Sequence, residues 1–203
     1  MADRQYTTEE KIEAYLGGIA ITTGGAANFI LATQKLIEQL TNRVFKADSA
    51  AVARLYNGND RQDLPIDDCT EITKVEVGND MWGDTFTEIL NSGINRYYAL
   101  PNNYAVDEVP INKIGLRSQI WIGGNANHRI TAKWGFSTNV PDDISFAATV
   151  IAAGMYNQNR GENTGAIKSE KIGEYQVTYA DDGGLNDFKL AMQILQGYKK
   201  YLL

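Results

Sequence analysis

The sequence predicts an α+β fold in which a helical bundle frame of about four helices holds an antiparallel β insertion between the second and third helices. Apolar residues recur at helical spacing over residues 1–45 and 137–203, and they alternate with polar residues over much of residues 46–136. A chain of 203 residues is long enough to bury a core without disulfide bonds. We therefore expect a single domain over residues 1–203.

Two helices are predicted before the insertion. Thr7 and Glu10 have the spacing of a capping box, and Gly17 with Gly18 ends the first helix. The second helix is expected over about residues 26–45. Its apolar face follows one helical stripe, which is formed by Phe29, Leu36, Ile37, Leu40 and Val44.

Two segments of the insertion show the period-two alternation of strands that have one face in water. These segments are residues 114–122 and residues 128–136. Gly123 and Gly124 lie between them, together with several asparagines. This arrangement predicts that the two strands form an antiparallel hairpin.

Further strand signals come earlier in the insertion. An apolar run leads into Asn57 and Gly58, a pair that is typical of a tight hairpin turn. A short strand is expected over residues 73–77. Prolines in the same region limit the length of the strands.

The third helix is predicted to begin at Pro141, and its apolar residues form two stripes instead of one. The first stripe contains Ile144, Ala147, Ala148, Ile151, Ala152 and Met155, and the second contains Phe146, Val150 and Ala153. A helix that is apolar all round is buried, either centrally in its own domain or against another subunit. The sequence does not decide between burial within the domain and burial against another subunit. The candidates for helix packing or subunit contact are Phe146, Ala148, Val150, Ala152 and Ala153.

One more strand and one more helix are predicted after the third helix. Residues 173–179 alternate as a single strand. The last helix is expected to begin near Leu185, and Lys199 and Lys200 lie in its final turn, where cations suit the helix dipole.

Residue patterns typical of catalysis or of metal binding are missing from the sequence. His128, the single histidine, stands at the edge of a Gly/Asn turn and is expected at the surface, and Cys69 is expected to be a small, partly buried apolar residue. There is no His pair, no CxxC motif, no phosphate-binding loop and no GxSxG nucleophile elbow. We predict no catalytic residue, no metal, no cofactor and no enzymatic activity.

Three adjacent aspartate pairs are the remaining candidates for chemistry, because two carboxyl groups can act as general acid and general base. The pairs are Asp67-Asp68, Asp142-Asp143 and Asp181-Asp182. Neighbours in a strand point to opposite faces, and carboxylates at a helix start favour the dipole, so capping and turn roles account for the pairs. A small acid/base hydrolase is kept as a less favoured alternative.

The charge and the apolar runs of the chain exclude further classes of protein. A net charge of −6 argues against a general phosphate-binding surface, since such surfaces cluster Lys and Arg. Residues 1–20 lack the pattern of a signal peptide, and no apolar run approaches the roughly 18 residues of a membrane span. We therefore expect a cytosolic product that makes no membrane contact.

The order of the segments resembles one known family. AKWGFSTNVPDDISFAATVIAAGMYNQ is followed by IKSEKIGEYQVTY and then by an amphipathic helix. This series resembles the head-tail connector (adaptor) proteins of long-tailed bacteriophages. Thr41, Arg43 and Phe45 also look like the T-x-R-x-F element at the end of a helix in that family. The likeness covers about residues 25–201, and the β insertion here is larger than in the shortest family members.

The resemblance implies a structural virion protein that consists of a single connector domain. Such proteins form a ring, commonly dodecameric, beneath the portal protein, and the ring extends the DNA channel. The implied partners are the portal protein on one side and a neck, stopper or tail-completion protein on the other. DNA is expected to pass through the lumen without sequence-specific binding. The implied location is the head-tail interface of the virion, after assembly in the host cytoplasm.

The resemblance also implies a docking segment at the C-terminus. In relatives this segment helps to dock onto the portal, and by position it corresponds to Tyr198, Lys199, Lys200, Tyr201, Leu202 and Leu203. Another neck or tail-completion protein, built from similar parts, is the alternative to a connector.

Overall fold

A computed structural model of the chain confirms the predicted α+β class. The residues it describes are 4–78, 85–93, 96–159, 169–172, 175–178 and 183–200. They contain four helices, a six-stranded antiparallel sheet and a two-stranded antiparallel sheet. No helix among them is long and apolar enough to cross a membrane.

The chain divides into two compact units. Unit 1 comprises Met1–Arg4 and Val44–Asn139, and unit 2 comprises Gln5–Arg43 and Val140–Leu203. Unit 1 contains the six-stranded sheet and unit 2 contains the helices. The six strands of the larger sheet therefore lie between the second and third helices in the order of the chain.

Unit 1 is built on the six-stranded sheet. Its strands are β1 (Val52–Gly58), β2 (Asp63–Gly78), β3 (Phe86–Glu88), β4 (Tyr97–Leu100), β5 (Ile111–Leu116) and β6 (Gly124–Trp134). They lie in the order β1-β6-β2-β5-β4, and β3 pairs with β2. β2 is central because its first part pairs with β5 and its second part pairs with β6. The buried core consists of Leu64, Ile66, Cys69, Val75, Tyr97, Ile111, Ile114, Leu116, Trp121, Ile130, Ala132 and Trp134.

The hairpin predicted between the segments now seen as β5 and β6 is wrong. β5 pairs with β2 and β4, whereas β6 pairs with β1 and β2. Trp121 accounts for the difference, because it is fully buried and donates its indole N–H to the carbonyl oxygen of Ile114 at 3.1 Å. Its neighbours Ile120 and Ile122 are 50% and 45% exposed, although the alternation had placed them on the buried face.

The turn predicted at Asn57 and Gly58 is also wrong. Gly58 is the last residue of β1, and β1 and β2 each pair with β6 instead of with each other. A Cβ atom at Gly58 would overlap the carbonyl oxygen of Ile122, so glycine permits a close approach of two backbones here. The Asn57 side chain accepts a hydrogen bond from the backbone N–H of Ala126 at 2.7 Å.

His128 is a core residue, so the expectation of a surface imidazole is wrong. It lies in β6, is fully buried, and packs edge-on against Trp121 with 5.0 Å between the ring centroids. Nε2 lies 3.0 Å from the carbonyl oxygen of Ile122 and therefore carries the proton, while Nδ1 has no hydrogen-bond partner within the described residues. Burial lowers the pKa of His128, because an imidazolium would lose its hydration there.

We predict that acidification destabilises unit 1 through His128. Its folded-state pKa lies below the value of about 6.5 for an exposed histidine, so unfolding takes up a proton and stability falls as the pH drops below about 6.5. Urea unfolding near neutral pH and about two pH units lower measures this loss. His128→Gln cannot titrate, so its loss of unfolding free energy is expected to be smaller than that of the wild type. Equal losses in the two proteins would contradict the prediction.

Unit 2 contains the helices α1 (Glu9–Tyr15), α2 (Ala27–Thr41), α3 (Asp142–Asn159) and α4 (Gly183–Gly197). α3 packs against each of the other three. Where α3 meets α1 and α2, the buried cluster consists of Ile12, Ile21, Ala26, Ile30, Ala152 and Ala153.

The first two helices differ in detail from the expectation. Thr8, not Thr7, caps α1 by accepting a hydrogen bond from the backbone N–H of Lys11 at 3.4 Å. Thr7 is buried, and its hydroxyl lies 2.7 Å from that of Thr149 in α3. α2 ends at Thr41, and its buried residues are Ile30, Thr33, Ile37 and Thr41. Two of these four are threonines, so the apolar spacing alone placed the buried face wrongly.

The segment predicted as a single strand after α3 belongs to a hairpin. β7 (Ser169–Ile172) pairs antiparallel with β8 (Tyr175–Thr178), with Ser169 opposite Thr178 and Ile172 opposite Tyr175. In the part of the chain that the structure describes, this hairpin is a sheet of its own.

Candidate functional site: the α3 helix and the C-terminal anchor

The first candidate site is α3, and most residues of its two apolar stripes are buried in the single chain. The helices α1, α2 and α4 pack around it. Four of the five candidate contact residues are buried in the single chain, namely Ala148, Val150, Ala152 and Ala153. Phe146 differs, because it keeps 36% of its surface exposed. The small side chains at most of these positions allow the neighbouring helices to approach closely.

Hydroxyl groups within α3 connect it to α1. The side-chain amine of Lys11 donates to Ser145 Oγ at 2.7 Å, and the hydroxyls of Thr7 and Thr149 form a hydrogen bond at 2.7 Å. Thr149 also lies 2.8 Å from the carbonyl oxygen of Ser145. The hydroxyls of Thr7, Ser145 and Thr149 are buried but paired, so they cost little and fix the position of α1 along α3. Sequence reasoning missed them, although a Ser and a Thr four residues apart in an apolar helix were a visible signal.

We predict that Ala152→Glu strongly destabilises unit 2. Ala152 is fully buried beside Ile12 and Ile30, so the new carboxylate would be buried without a partner, at a cost of about 3 kcal/mol or more. The matched control is Gln158→Glu, which adds the same charge at an exposed position of the same helix and is expected to change stability by less than about 0.5 kcal/mol. Urea unfolding followed by circular dichroism measures both. Similar stabilities of the two variants would contradict the prediction.

The second candidate site is the segment that follows α4, which the end of α2 holds in place. The backbone N–H of Lys200 donates to the carbonyl oxygen of Thr41 at 2.8 Å, and the Asn42 amide donates to the carbonyl oxygen of Lys200 at 3.2 Å. Arg43 Nε donates to the carbonyl oxygen of Tyr198 at 2.6 Å. We call this set of contacts the C-terminal anchor.

The side chain of Tyr198 extends the anchor to the start of α3. Its hydroxyl donates to Asp143 Oδ2 at 2.9 Å. Burial and this hydrogen bond raise the pKa of Tyr198 to about 12, so the phenol stays protonated and remains a donor at neutral pH. The ends of α2 and α4 and the start of α3 therefore meet at one place.

The anchor contains part of the segment that the resemblance implies for portal docking. Tyr198 and Lys200 are half-buried there, and Lys199 is exposed. The other three residues of that segment, Tyr201, Leu202 and Leu203, lie outside the described residues.

The T-x-R-x-F element is divided between the two units. Thr41 and Arg43 belong to the anchor in unit 2. Phe45 is fully buried in unit 1, where its ring lies 5.6 Å from that of Phe136. The sequence showed the element but not the partners of its residues, because those partners lie more than ninety residues away along the chain.

We predict that Asp143→Asn loosens the anchor. It weakens a hydrogen bond to a charged acceptor, which contributes about 1.5–3 kcal/mol, and hydrogen exchange at the Lys200 amide is expected to become faster. Asp142→Asn is the matched control, because Asp142 is an exposed carboxylate in the same helical turn. Exchange measured by NMR or mass spectrometry compares the two. Equal exchange at Lys200 in both variants would show that the Tyr198 bond does not support the anchor.

The adjacent aspartates that were weighed as candidates for acid/base chemistry differ in their surroundings. Asp67 is exposed and accepts hydrogen bonds from Arg54 at 2.6 Å and from the Tyr56 hydroxyl at 3.0 Å, whereas Asp68 is buried. The pair at the start of α3 is divided between the anchor and solvent. The third pair, at residues 181–182, lies outside the described residues.

Two clefts open on unit 1, and none of the four described aspartates of these pairs lines either one. The first has a volume of about 360 Å³ and contains Glu71 and Arg96 beside three tyrosines. The second, of about 700 Å³, is lined by the exposed side chains of Leu90, Ile120 and Ile122. Within the described residues no group of three or more His, Cys, Asp or Glu side chains could hold a metal ion.

Comparison with known proteins finds structures with a similar fold but no matching family. No family model matches the chain. No curated protein matches it in sequence. Among solved structures, a chain from the neck of an empty gene transfer agent particle, computed with C6 symmetry, aligns with a TM-score of 0.55 and 14% identity. The alignment covers 96% of this chain and 89% of that one. A chain from the virion of a native gene transfer agent particle aligns with a TM-score of 0.54 and 16% identity, over 96% and 89% of the two chains. The likeness shows a shared fold that includes both units.

Proposed function

We propose that the chain is a structural, non-enzymatic protein of the neck of a phage-like virion. Within the neck, it acts as a head-tail connector (adaptor) that forms a ring under the portal, extends the DNA channel and offers a docking surface to the neck or tail. The observation that carries this proposal is the fold shared with a neck chain over 96% of the sequence. In this role both units of the chain together form one connector domain.

The subunits form a homo-oligomeric ring, which we propose to be dodecameric. A ring of twelve identical subunits also satisfies the C6 symmetry with which the neighbour's neck was computed. Each subunit of a ring needs two different contact surfaces, one for each neighbour. Phe146, the exposed member of the α3 candidates, is available for such a contact.

The portal is contacted by the segment that starts at Tyr198. The anchor supports this assignment, because it fixes Tyr198 and Lys200 on unit 2 and so sets the starting point of the last three residues. A docking segment that leaves from a fixed point loses less conformational entropy on binding than one attached through a flexible linker.

The partner on the other side is a neck, stopper or tail-completion protein, and DNA passes through the lumen without sequence-specific binding. The net charge of −6 supports this role, because an acidic channel repels the DNA backbone. The role needs no cofactor and no membrane. The protein assembles in the host cytoplasm and is located at the head-tail interface of the virion.

We predict that the full-length chain, mixed with the portal protein of the same particle, gives rings on the portal in electron micrographs. A variant that lacks residues 201–203 is expected to keep its fold and to lose most of its co-sedimentation with the portal. Lys189→Ala, at an exposed position of α4, is the control that leaves portal binding unchanged.

Absence of rings both with and without portal would contradict the connector role. Binding to a tail-side neck protein but not to the portal would indicate another neck or tail-completion component instead. Full binding by the shortened chain would contradict only the docking segment.

A further inference from the structure

One edge of the sheet in unit 1 is open and poorly protected. β1 pairs with β6 along one side, and no other strand of the described residues pairs with its second side. The strand is seven residues long and contains no proline. Val52 and Leu55 on it are 50% and 56% exposed. Exposed edges of this kind offer free backbone N–H and C=O groups to another strand.

The features that usually prevent an edge strand from pairing with another chain, such as charged side chains, are weak on β1. Its single charged side chain, Arg54, is held by Asp67 at 2.6 Å and lies over the Trp134 ring at 4.6 Å. The strand at the other end of the sheet, β4, is only four residues long and runs directly into Pro101, which cannot donate to a ladder. Of these two end strands, β1 is therefore the better template for an added strand, and β3, which pairs with β2 alone, has only three residues.

The β7–β8 hairpin in unit 2 is a small sheet that can be extended by another strand. It consists of two strands of four residues, and its ladder joins no third strand in the part of the chain that the structure describes. An isolated two-stranded hairpin is only marginally stable in water, and either an added strand or packing against a helix makes it stable. Each of its strands is short enough to fit within the seven residues of β1.

We propose that β1 of one subunit accepts the β7–β8 hairpin of the neighbouring subunit as an added strand pair. This inference rests on the ring proposed above, in which each subunit must present two different surfaces. The hairpin and the β1 edge are two such surfaces, since each chain has one of each, and a contact of this heterologous type repeats around a ring until it closes. The ladder of backbone hydrogen bonds holds the neighbours together, as in other cases of strand addition.

Cysteine cross-linking tests the contact on the assembled ring. Ala53→Cys on β1 and Gln176→Cys on β8 are combined in the full-length chain, and the rings are treated with a short bis-maleimide. The native Cys69 is fully buried, so the wild type measures the background. The matched control pairs Ala53→Cys with Ala99→Cys on β4, the other end of the sheet. We expect a ladder of covalent oligomers from the first pair and none from the control.

Each result separates the inference from the function on which it rests. Rings that form in the wild type and yield the ladder with Gln176→Cys support the contact. Rings that yield no ladder, or a ladder only with Ala99→Cys, overturn the contact and leave the connector role intact. A cross-link confined to single chains also overturns the contact. If the wild type forms no ring with the portal, the connector role and the contact fail together.

Discussion

Burial of α3 on all sides is the constraint on which unit 2 depends. An amphipathic helix needs one covering surface, but α3 has buried residues around its circumference, from Ile144 to Ala153. Three other helices, α1, α2 and α4, pack against it. The hydroxyls of Thr7 and Thr149 fix the register of one of these contacts within the apolar surroundings. Unit 2 therefore has little freedom to lose or reposition a single helix.

The same constraint explains why the C-terminal anchor lies where it does. Because α2 and α4 both pack on α3, the end of each helix comes near the start of α3. Tyr198 bridges to Asp143, and the backbone N–H of Lys200 pairs with the carbonyl oxygen of Thr41, which the end of α2 would otherwise leave unpaired. Arg43 and Asn42 donate to carbonyl oxygens of the segment just beyond α4. The anchor thus joins the ends of three helices, and it fixes Tyr198 and Lys200 on unit 2.

The class of the fold was predictable from the sequence, but the partners of its strands were not. Period-two alternation identified strands in the region of β5 and β6, and helical spacing identified α3, because these patterns are local. The order β1-β6-β2-β5-β4 depends on pairings between distant residues, and the sequence carries no direct signal for them. Trp121 shows the limit well. It interrupts the alternation by a single position, and its burial turns Ile120 and Ile122 outward.

The candidate site was predictable in part for the same reason. The two apolar stripes of α3 were visible, and burial of Ala148 and Ala152 follows from them. The anchor was not visible, because its bonds join residues 41–43 to residues 198–200, and most of them end on backbone carbonyl oxygens. The burial of His128 was not visible either. A polar residue beside a glycine-rich turn is expected at the surface, and only the structure shows its packing against Trp121.

These same features explain how a fold of this kind persists at 14% identity. A buried central helix requires small or apolar residues at the correct spacing, and many sequences meet that requirement. Backbone carbonyl acceptors in the anchor are present whatever the side chain, so the bonds that end on them do not require a particular residue at the acceptor position. A catalytic centre would instead demand particular side chains in fixed geometry. Asp67 and Asp143, by contrast, are engaged in an ion pair with Arg54 and in the anchor, and both contacts are structural.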